Sequence, residues 1–160
     1  KYDWAYYDAL SPYIKGVVLD IGSGAGMFVK EYVNKPEVEM VICMDKFTEQ
    51  LPTHEKITAI ETKLPEGIMA DRKYDTIVCT EFIEHITREE GDVLLQKVKD
   101  SLKEDGVFLG STPNKVSPTT NPYHLYEYTL DELKGILEQY FTKVEAWDNG
   151  FYCTLWKVSL

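Results

Sequence analysis

Three glycines alternate with other residues directly after a short apolar stretch, in the order Asp20-Ile21-Gly22-Ser23-Gly24-Ala25-Gly26. The apolar stretch before them, Val17 to Leu19, is typical of a buried strand, and the apolar residues that follow recur at helical spacing. Glycine is required where the backbone turns sharply and a ligand lies against it without an intervening Cβ. The pattern therefore predicts the strand, turn and helix that open a nucleotide-binding βαβ unit.

The spacing of these glycines narrows the type of ligand. A dinucleotide fingerprint places its third glycine five positions after the first, where this chain has Met27. A phosphate loop requires Gly-Lys-Ser/Thr, which does not follow here. The spacing of the turn therefore matches neither a dinucleotide-binding fingerprint nor a phosphate loop.

Acidic and imidazole side chains cluster after the fourth predicted strand. Glu81, Glu84 and His85 follow it directly, and His124 lies in the long polar segment after the fifth strand. Ligand sites of α/β sheets lie at the carboxyl ends of the strands, and His accepts a proton near neutral pH. We therefore predict Glu81, His85 and His124 as catalytic residues. A solvated helix start, where an acid suits the helix dipole, is the alternative for Glu84 and His85.

The elements that must position these residues can be traced along the chain. Thr87 with Glu90 and Thr129 with Glu132 form capping boxes and predict two amphipathic helices, the first ending at residues 104–106. Asn-Gly near residue 150 predicts a terminal hairpin. Residues 1–15 form a predicted aromatic helix. The predicted strands are 17–19, 40–44, 56–60, 74–80, 107–109, 144–147 and 152–158.

The Asp-x-Gly-x-Gly-x-Gly motif, followed by βα units and a terminal hairpin, resembles the class I S-adenosylmethionine-dependent methyltransferases over nearly the whole chain. The resemblance implies one α/β domain, residues 1–160, with a Rossmann-like, doubly wound, seven-stranded, mostly parallel sheet and an antiparallel last strand. It implies S-adenosylmethionine as the cofactor. The carboxylate of this molecule suits a helix N-terminus, and its ammonium suits Asp20.

The resemblance also implies the remaining cofactor contacts. Asp45, at the end of the second strand, is placed to bind a ribose diol. The next two residues flank the adenine in the family; Lys46 departs from the usual apolar residue, and Phe47 could supply the wall. Glu61 either approaches the adenine amino group or is a solvated loop acid. The predicted cofactor residues are Asp20, Gly22, Gly24, Gly26, Asp45, Lys46, Phe47, Glu61, Thr62 and Thr80.

Two further alternatives concern the helix at residues 1–15 and a metal. In the family, such a helix covers the cofactor cleft; simple packing on the sheet is equally open. Glu81-x-x-Glu84-His85, with Thr112-Pro113-Asn114 and His124, also resembles the metal-binding set of small-RNA 3′-end ribose methyltransferases, which implies Glu81, Glu84, His85 and His124 as ligands. The same motifs occur in methyltransferases of quinones, sugars and glycans. We predict a mechanism without metal and keep this ligand set as the alternative.

Composition restricts the acceptor. The formal net charge of −10 over 160 residues argues against a broad nucleic-acid surface. We predict a small hydroxyl-bearing acceptor, such as a sugar or glycan precursor, with RNA ribose methylation and a non-catalytic cofactor-binding scaffold as alternatives. A protein partner could supply part of the acceptor surface. No apolar run reaches the about 20 residues of a membrane span, so we predict a protein without one. The three cysteines are an odd number and are read as reduced thiols, which predicts a cytoplasmic protein.

Overall fold

A computed structural model describes residues 5–69, 71–114, 121–150 and 153–160. These residues form a seven-stranded sheet in the order β3-β2-β1-β4-β5-β7-β6. The strands are β1 (Gly16–Ile21), β2 (Val38–Asp45), β3 (Ile57–Glu61), β4 (Tyr74–Thr80), β5 (Leu102–Pro113), β6 (Lys143–Asp148) and β7 (Cys153–Ser159).

The strand directions confirm the predicted fold class. Strands β1 to β5 pair in parallel, whereas β7 is antiparallel to both β5 and β6. The central strands are continuous apolar runs because helices cover both of their faces. From β1 the chain adds β2 and β3 on one side of the sheet, and from β4 it adds the remaining strands on the other side. The strand order therefore reverses between β1 and β4, and a crevice opens beyond the carboxyl ends of these two strands.

Within the described residues, four α-helices flank the sheet: α1 (Ala5–Leu10), α2 (Val29–Tyr32), α3 (Arg88–Ser101) and α4 (Leu130–Tyr140). The residues α1 and α2 bury belong to one apolar cluster, which contains Leu10, Phe28 and Val78. The residues α3 and α4 bury belong to a second cluster, which contains Leu94 and Leu137. The sheet is therefore wound on both faces, as predicted. No helix among the described residues is long and apolar enough to cross a membrane.

The two predicted capping positions are occupied, but one helix is shorter than predicted. Thr87 and Glu90 form a complete capping box at the start of α3. At the start of α4 only half of the predicted box forms: the Thr129 side chain accepts a hydrogen bond from the Glu132 N–H, but the Glu132 carboxylate accepts one from the Tyr126 hydroxyl instead. Helix α3 ends at Ser101 rather than at residues 104–106, because Leu102 already pairs with Tyr74 in the sheet.

The helix after the glycine turn is also shorter than the apolar spacing predicts. It begins at Val29 and has four residues, preceded and followed by hydrogen-bonded turns. Phe28, Tyr32 and Val33 are buried as predicted, whereas Met27 is 44 % exposed. The cofactor carboxylate was predicted to lie at the N-terminus of a helix. At this position the structure has the backbone of a turn instead.

The described part of the predicted N-terminal helix packs on the sheet. Leu10 and Ile14 are fully buried, and the Tyr7 ring contacts the Phe28 ring edge-on at 5.7 Å between centroids. Residues 1–4, including two of the aromatic residues that motivate the lid prediction, lie outside the described residues. The cofactor-lid role of residues 1–15 stays a prediction.

Candidate active site

The glycine turn at the carboxyl end of β1 adopts backbone geometry that only glycine takes without strain. Gly22, Gly24 and Gly26 all have positive φ, at 70°, 56° and 79°. A Cβ added to Gly22 would lie 2.4 Å from the Phe82 ring, and one added to Gly26 would lie 2.6 Å from Pro52. One added to Gly24 would meet no atom within 4 Å. Gly24 thus borders open space, whereas the other two allow close packing.

Asp45, at the end of β2, holds the turn from the neighbouring strand. Its Oδ2 accepts a hydrogen bond from the Gly24 N–H at 2.6 Å, and its Oδ1 accepts one from the Lys46 N–H at 2.6 Å. Each carboxylate oxygen can accept further bonds. The side chain is half-buried, so these oxygens could also accept from a ribose diol.

Asp20 lies beneath the turn in a buried hydrogen-bond network. It is 3 % exposed, and its carboxylate accepts bonds from the Tyr32 hydroxyl at 2.6 Å and the Ser23 hydroxyl at 3.0 Å. Burial raises the pKa of Asp20 to about 6, although both hydroxyl donors favour its charged form. The structure therefore places Asp20 where it supports the turn from below.

A cavity of about 600 Å³ opens between the glycine turn and the carboxyl end of β4. Seven of the predicted residues line it: Gly22, Gly24, Asp45, Lys46, Phe47, Glu81 and His85. Phe47 is 63 % exposed, and the Lys46 Nζ lies 5.6 Å from the centre of its ring. An apolar face, three acidic side chains and turn backbone therefore meet in one cavity, the arrangement expected of a small-molecule site.

The other predicted site residues do not line this cavity. Gly26 packs against Pro52, and Asp20 lies under the turn. The Glu61 carboxylate accepts a hydrogen bond from the Thr48 N–H at 3.2 Å, and the Thr62 N–H donates to the Asp45 carbonyl at 2.9 Å. Two more predicted residues are not in the cavity lining: Thr80, which is the last residue of β4, and His124.

Five cavity residues were missed by the sequence reasoning. They are Lys63, Leu64, Phe82, Ile86 and Glu90. Phe82 and Ile86 flank a 3-10 turn at Ile83–His85, which places both in the cavity lining without any helical or strand periodicity. The Leu-Pro after β3 was the one sequence signal for this wall, and the residue before it, Lys63, also faces the cavity.

Glu81 occupies a strained backbone position at the mouth of the sheet. Its φ is 53°, the left-handed region that residues with a side chain rarely adopt. Its carboxylate accepts hydrogen bonds from the Ser111 hydroxyl at 3.1 Å and the Cys153 thiol at 3.5 Å. Burial raises the pKa of Glu81 above its usual value. The strain turns this carboxylate toward the ends of β5 and β7.

Glu84 is more deeply buried than the other two polar candidates beside it, Glu81 and His85, and it binds the following loop. It is 1 % exposed, its Oε1 accepts a bond from the Thr112 hydroxyl at 2.9 Å, and its backbone carbonyl accepts from the Leu125 N–H at 2.8 Å. Burial, with the charge of Glu81, raises the pKa of Glu84 to about 8. This position differs from the solvated helix start that was the alternative for Glu84.

His85 and His124 lie together although 39 positions separate them in the chain. Their ring centroids are 5.0 Å apart at 79°. The His85 Nδ1 lies 2.9 Å from the Tyr123 carbonyl oxygen, which can only accept, so this nitrogen carries the proton in the neutral ring. The His85 Nε2 is then an acceptor, 3.7 Å from the Glu84 Oε2.

The surroundings of His124 also define one neutral tautomer. The Asn121 Oδ1 accepts from the Tyr123 N–H at 2.9 Å, which turns the Asn121 amide nitrogen toward the His124 Nε2 at 3.1 Å. That Nε2 must therefore accept, and the His124 Nδ1 donates to the Glu127 carboxylate at 2.7 Å. Neither Asn121 nor Glu127 was identified as a partner of His124 from the sequence.

Three of the four alternative metal ligands come together. One ligand atom each from Glu84, His85 and His124 lies within 4.8 Å of the others, whereas Glu81 is outside this group. A carboxylate and two imidazoles suit several divalent ions. Each Nδ1 is bonded to a carbonyl or carboxylate, which is the usual support of a histidine that binds a metal through Nε2.

A Rossmann-like sheet with a glycine turn, acidic side chains and imidazoles at its crevice is typical of class I methyltransferases. The family model for the methyltransferase domain matches residues 8–154, and the chain belongs to this family. Membership in the S-adenosylmethionine-dependent methyltransferases and the enzyme class predicted from the glycine motif are thereby confirmed. No curated protein matches the sequence of the chain.

Solved structures with the same fold are similar at low sequence identity. A DhpI-SAM-HEP complex has a TM-score of 0.81 and 13 % identity, covering 98 % of this chain and 84 % of that one. Human N-acetylserotonin methyltransferase in complex with SAM has a TM-score of 0.78 and 16 % identity, covering 97 % and 50 %. A chain from the complex of the Haloferax volcanii Trm112 methyltransferase activator with a methyltransferase has a TM-score of 0.75 and 11 % identity, covering 98 % and 89 %. The predicted cofactor agrees with the SAM-bound members of this fold.

Proposed function

We propose that this chain binds S-adenosylmethionine in the 600 Å³ cavity and transfers its methyl group to a small hydroxyl-bearing acceptor. The observation that carries the proposal is that the Gly24 backbone, the Asp45 carboxylate, Glu81 and His85 all line one cavity. A sugar or glycan precursor is the proposed acceptor class, since sugars offer hydroxyl groups and a net charge of −10 argues against RNA.

The residues present fit this cofactor. Gly24 borders open space in which a Cβ would have no neighbour within 4 Å, so the backbone is free to approach a ligand. The Asp45 oxygens have remaining acceptor capacity for a ribose diol, and Phe47 offers an exposed ring for the adenine. When bound, the cofactor supplies an electrophilic methyl group on a sulfonium. The chain's own residues orient this group and the acceptor.

His85 is the proposed proton acceptor for the acceptor hydroxyl. It lines the cavity, and its Nδ1–H is held by the Tyr123 carbonyl, which leaves the Nε2 lone pair as the basic site. His124, the other histidine predicted as catalytic, accepts a bond from Asn121 at its own Nε2. We propose that His124 positions the loop beside His85 and that Glu81 orients the acceptor through its buried carboxylate.

Incubation with radiolabelled S-adenosylmethionine and a panel of sugars, nucleotide sugars, quinols and short RNAs tests this function. We expect label on a sugar-type hydroxyl acceptor, with no transfer to RNA. His54→Ala is the control for variants of His85 and His124. It removes the one other histidine of the sequence, which is hydrogen-bonded to Asn34 and is not in the cavity lining. Transfer to RNA alone would reject the acceptor class, and S-adenosylmethionine binding without transfer to any acceptor would favour the scaffold alternative.

A metal-assisted reaction is the second candidate, and the cluster of Glu84, His85 and His124 favours it. These residues would hold a divalent ion that polarises the acceptor hydroxyl. Chelation separates the two candidates. Turnover that survives chelation supports His85 as a base, whereas turnover lost on chelation and restored by Mn²⁺ or Mg²⁺ supports the metal.

A protein partner that supplies acceptor surface is proposed as well. The proposal of a partner is supported by one of the structural neighbours, which is in a complex with a methyltransferase activator. Stimulation of transfer by a co-purifying protein, measured against the purified chain alone, tests this proposal.

A further inference from the structure

The loop at residues 62–69 follows β3 and forms part of the cavity wall through Lys63 and Leu64. These residues contain no helix or strand, so contacts with other elements must hold the loop in place. The helix that packs against it, α3, contributes a half-buried lysine to these contacts. We propose that this residue, Lys97, is a positioning residue of the cofactor site, which holds the loop in the shape that completes the cavity wall.

Lys97 is hydrogen-bonded to the backbone of the loop. Its ammonium group donates to the carbonyl of Ile68 at 2.9 Å and to the carbonyl of Glu66 at 3.4 Å. These two carbonyls lie on either side of Gly67, whose N–H donates to the Lys63 carbonyl at 2.8 Å. Hydrogen bonds from a charged donor are stronger than those between neutral groups. Lys97 therefore fixes the peptide groups of a turn that begins at a cavity residue.

Apolar packing brings the loop to α3 but does not orient its backbone. Leu64 and Ile68 are 8 % and 1 % exposed, and both belong to the apolar cluster that contains Leu94 of α3. Burial of this kind is not directional. Glu66 lies between the two buried side chains and is exposed, so burial does not set the direction of its carbonyl. The two bonds from Lys97 supply the missing orientation.

The register of α3 places Lys97 correctly for this role. Glu90, which lines the cavity from the first turn of α3, precedes Lys97 by seven positions, or about two helical turns. The two side chains therefore project from the same face of the helix. Lys99 is exposed and projects about 200° farther round the helix. One face of α3 thus contributes a cavity residue directly and a second part of the wall through the loop.

The loop is also joined to the strand end that carries Asp45. The Thr62 N–H donates to the Asp45 carbonyl at 2.9 Å, and a Cβ added to Gly67 would overlap the Thr62 side chain. Movement at Gly67 would therefore remove packing from a residue bonded to Asp45, whose carboxylate accepts from the Gly24 N–H. Loss of the Lys97 bonds would thus affect both the loop and the residue proposed to bind the ribose.

This inference rests on the proposed function, because the cavity is taken to hold S-adenosylmethionine. Without the two bonds, the loop adopts other conformations for part of the time, and the apparent affinity falls with the fraction of molecules whose loop is in the binding shape. A fraction of about 10–20 % raises the Kd about 5–10-fold. Binding must then also order the loop, so the binding entropy becomes less favourable.

Calorimetric titration of S-adenosylmethionine into three variants tests the proposal. Lys97→Met keeps the aliphatic part of the side chain and removes the ammonium, whereas Lys97→Arg keeps donors for both carbonyls. Lys99→Met is the matched control, with the same charge change at an exposed position of the same helix. We expect a Kd about 5–10-fold higher and a less favourable binding entropy in Lys97→Met, with affinities close to the wild type in the other two.

Hydrogen exchange measured by NMR reports on the loop without any ligand. The Gly67 and Ile68 amides, which donate to the Lys63 and Pro65 carbonyls, should exchange faster in Lys97→Met than in the wild type and in Lys99→Met. Circular dichroism gives the folded fraction, so that each affinity is stated per folded molecule. A purely structural role for Lys97 would lower folding stability and leave this affinity unchanged.

Unchanged affinity per folded Lys97→Met molecule would overturn the assignment, and so would unchanged exchange at Gly67 and Ile68. An equal loss of affinity in Lys99→Met would overturn it as well, because the effect would then be one of net charge. A wild-type chain that does not bind S-adenosylmethionine would refute the proposed function together with this inference. Binding by the wild type with equal affinity in Lys97→Met would refute this inference alone.

Discussion

Tyr32→Phe probes the buried network that supports the glycine turn. The change removes a hydroxyl that donates to the Asp20 carboxylate at 2.6 Å and leaves the ring, which is fully buried, in place. Asp20 then retains the Ser23 hydroxyl as its side-chain donor. The consequence depends on pH because Asp20, with its pKa raised to about 6 from its usual 3.8, titrates between pH 5 and 8.

The direction in which stability changes with pH follows from the raised pKa of Asp20. The folded chain holds the Asp20 proton more tightly than the unfolded chain, so the folding free energy contributed by this group is complete below pH 4 and falls as pH rises through 6. At pH 8 the Tyr32 hydroxyl bonds a charged group, worth about 1.5–3 kcal/mol, and at pH 5 mostly a neutral one, worth about 0.5–1.5 kcal/mol. We expect the cost of Tyr32→Phe to be about 1 kcal/mol larger at pH 8 than at pH 5.

Urea unfolding of wild type and variant at both pH values measures this difference. Tyr7→Phe is the matched control: its hydroxyl donates to the Glu31 backbone carbonyl at 2.6 Å, which does not titrate, so its cost should be equal at pH 5 and 8. Equal costs for Tyr32→Phe at the two pH values would refute the assignment of Asp20 as a buried carboxylate stabilised by Tyr32.

The remaining predictions concern the cavity and the sheet. Asp45→Ala should weaken S-adenosylmethionine binding by about 1.5–3 kcal/mol in calorimetry, because it removes a charged acceptor and the anchor of the Gly24 N–H. His85→Ala should lower turnover by about 10²–10⁴ with cofactor affinity nearly unchanged, whereas wild-type turnover would remove it as the base. Leu10→Ala should cost about 2–5 kcal/mol of folding free energy, because this side chain is fully buried. Reduced cofactor affinity per folded molecule in that variant would instead support the lid role of residues 1–15.

The fold could be predicted from the sequence where local pattern and tertiary packing agree. A short continuous apolar run such as Met40 to Met44 is typical of a strand buried in a parallel sheet, and β2 pairs in parallel with both of its neighbours. Asn-Gly at 149–150 lies in the β6–β7 connection, and the Asn149 N–H donates to the Cys153 carbonyl at 3.0 Å. The end of α3 could not be predicted, since pairing between Leu102 and Tyr74 overrides the helical pattern.

The site was predictable only in part, for a related reason. Gly24 and Asp45 were found because a strand end and a glycine turn carry their own sequence signal. The left-handed backbone of Glu81 and the pairing of His124 with Glu127 carry none, because they depend on contacts between the ends of β4, β5 and the following loop. Irregular segments of this kind have no periodicity from which side-chain directions could be inferred.

Calorimetric titration of S-adenosylmethionine into the wild type and Gly24→Val tests whether the cavity at the glycine turn holds the cofactor. We expect one binding event per wild-type chain and none in the variant, whose side chain would occupy the open space beside Asp45. Asp45→Asn provides the second variant, with weakened binding, in case the positive φ at residue 24 prevents folding. Wild-type affinity in a folded Gly24→Val would show that the cofactor binds elsewhere.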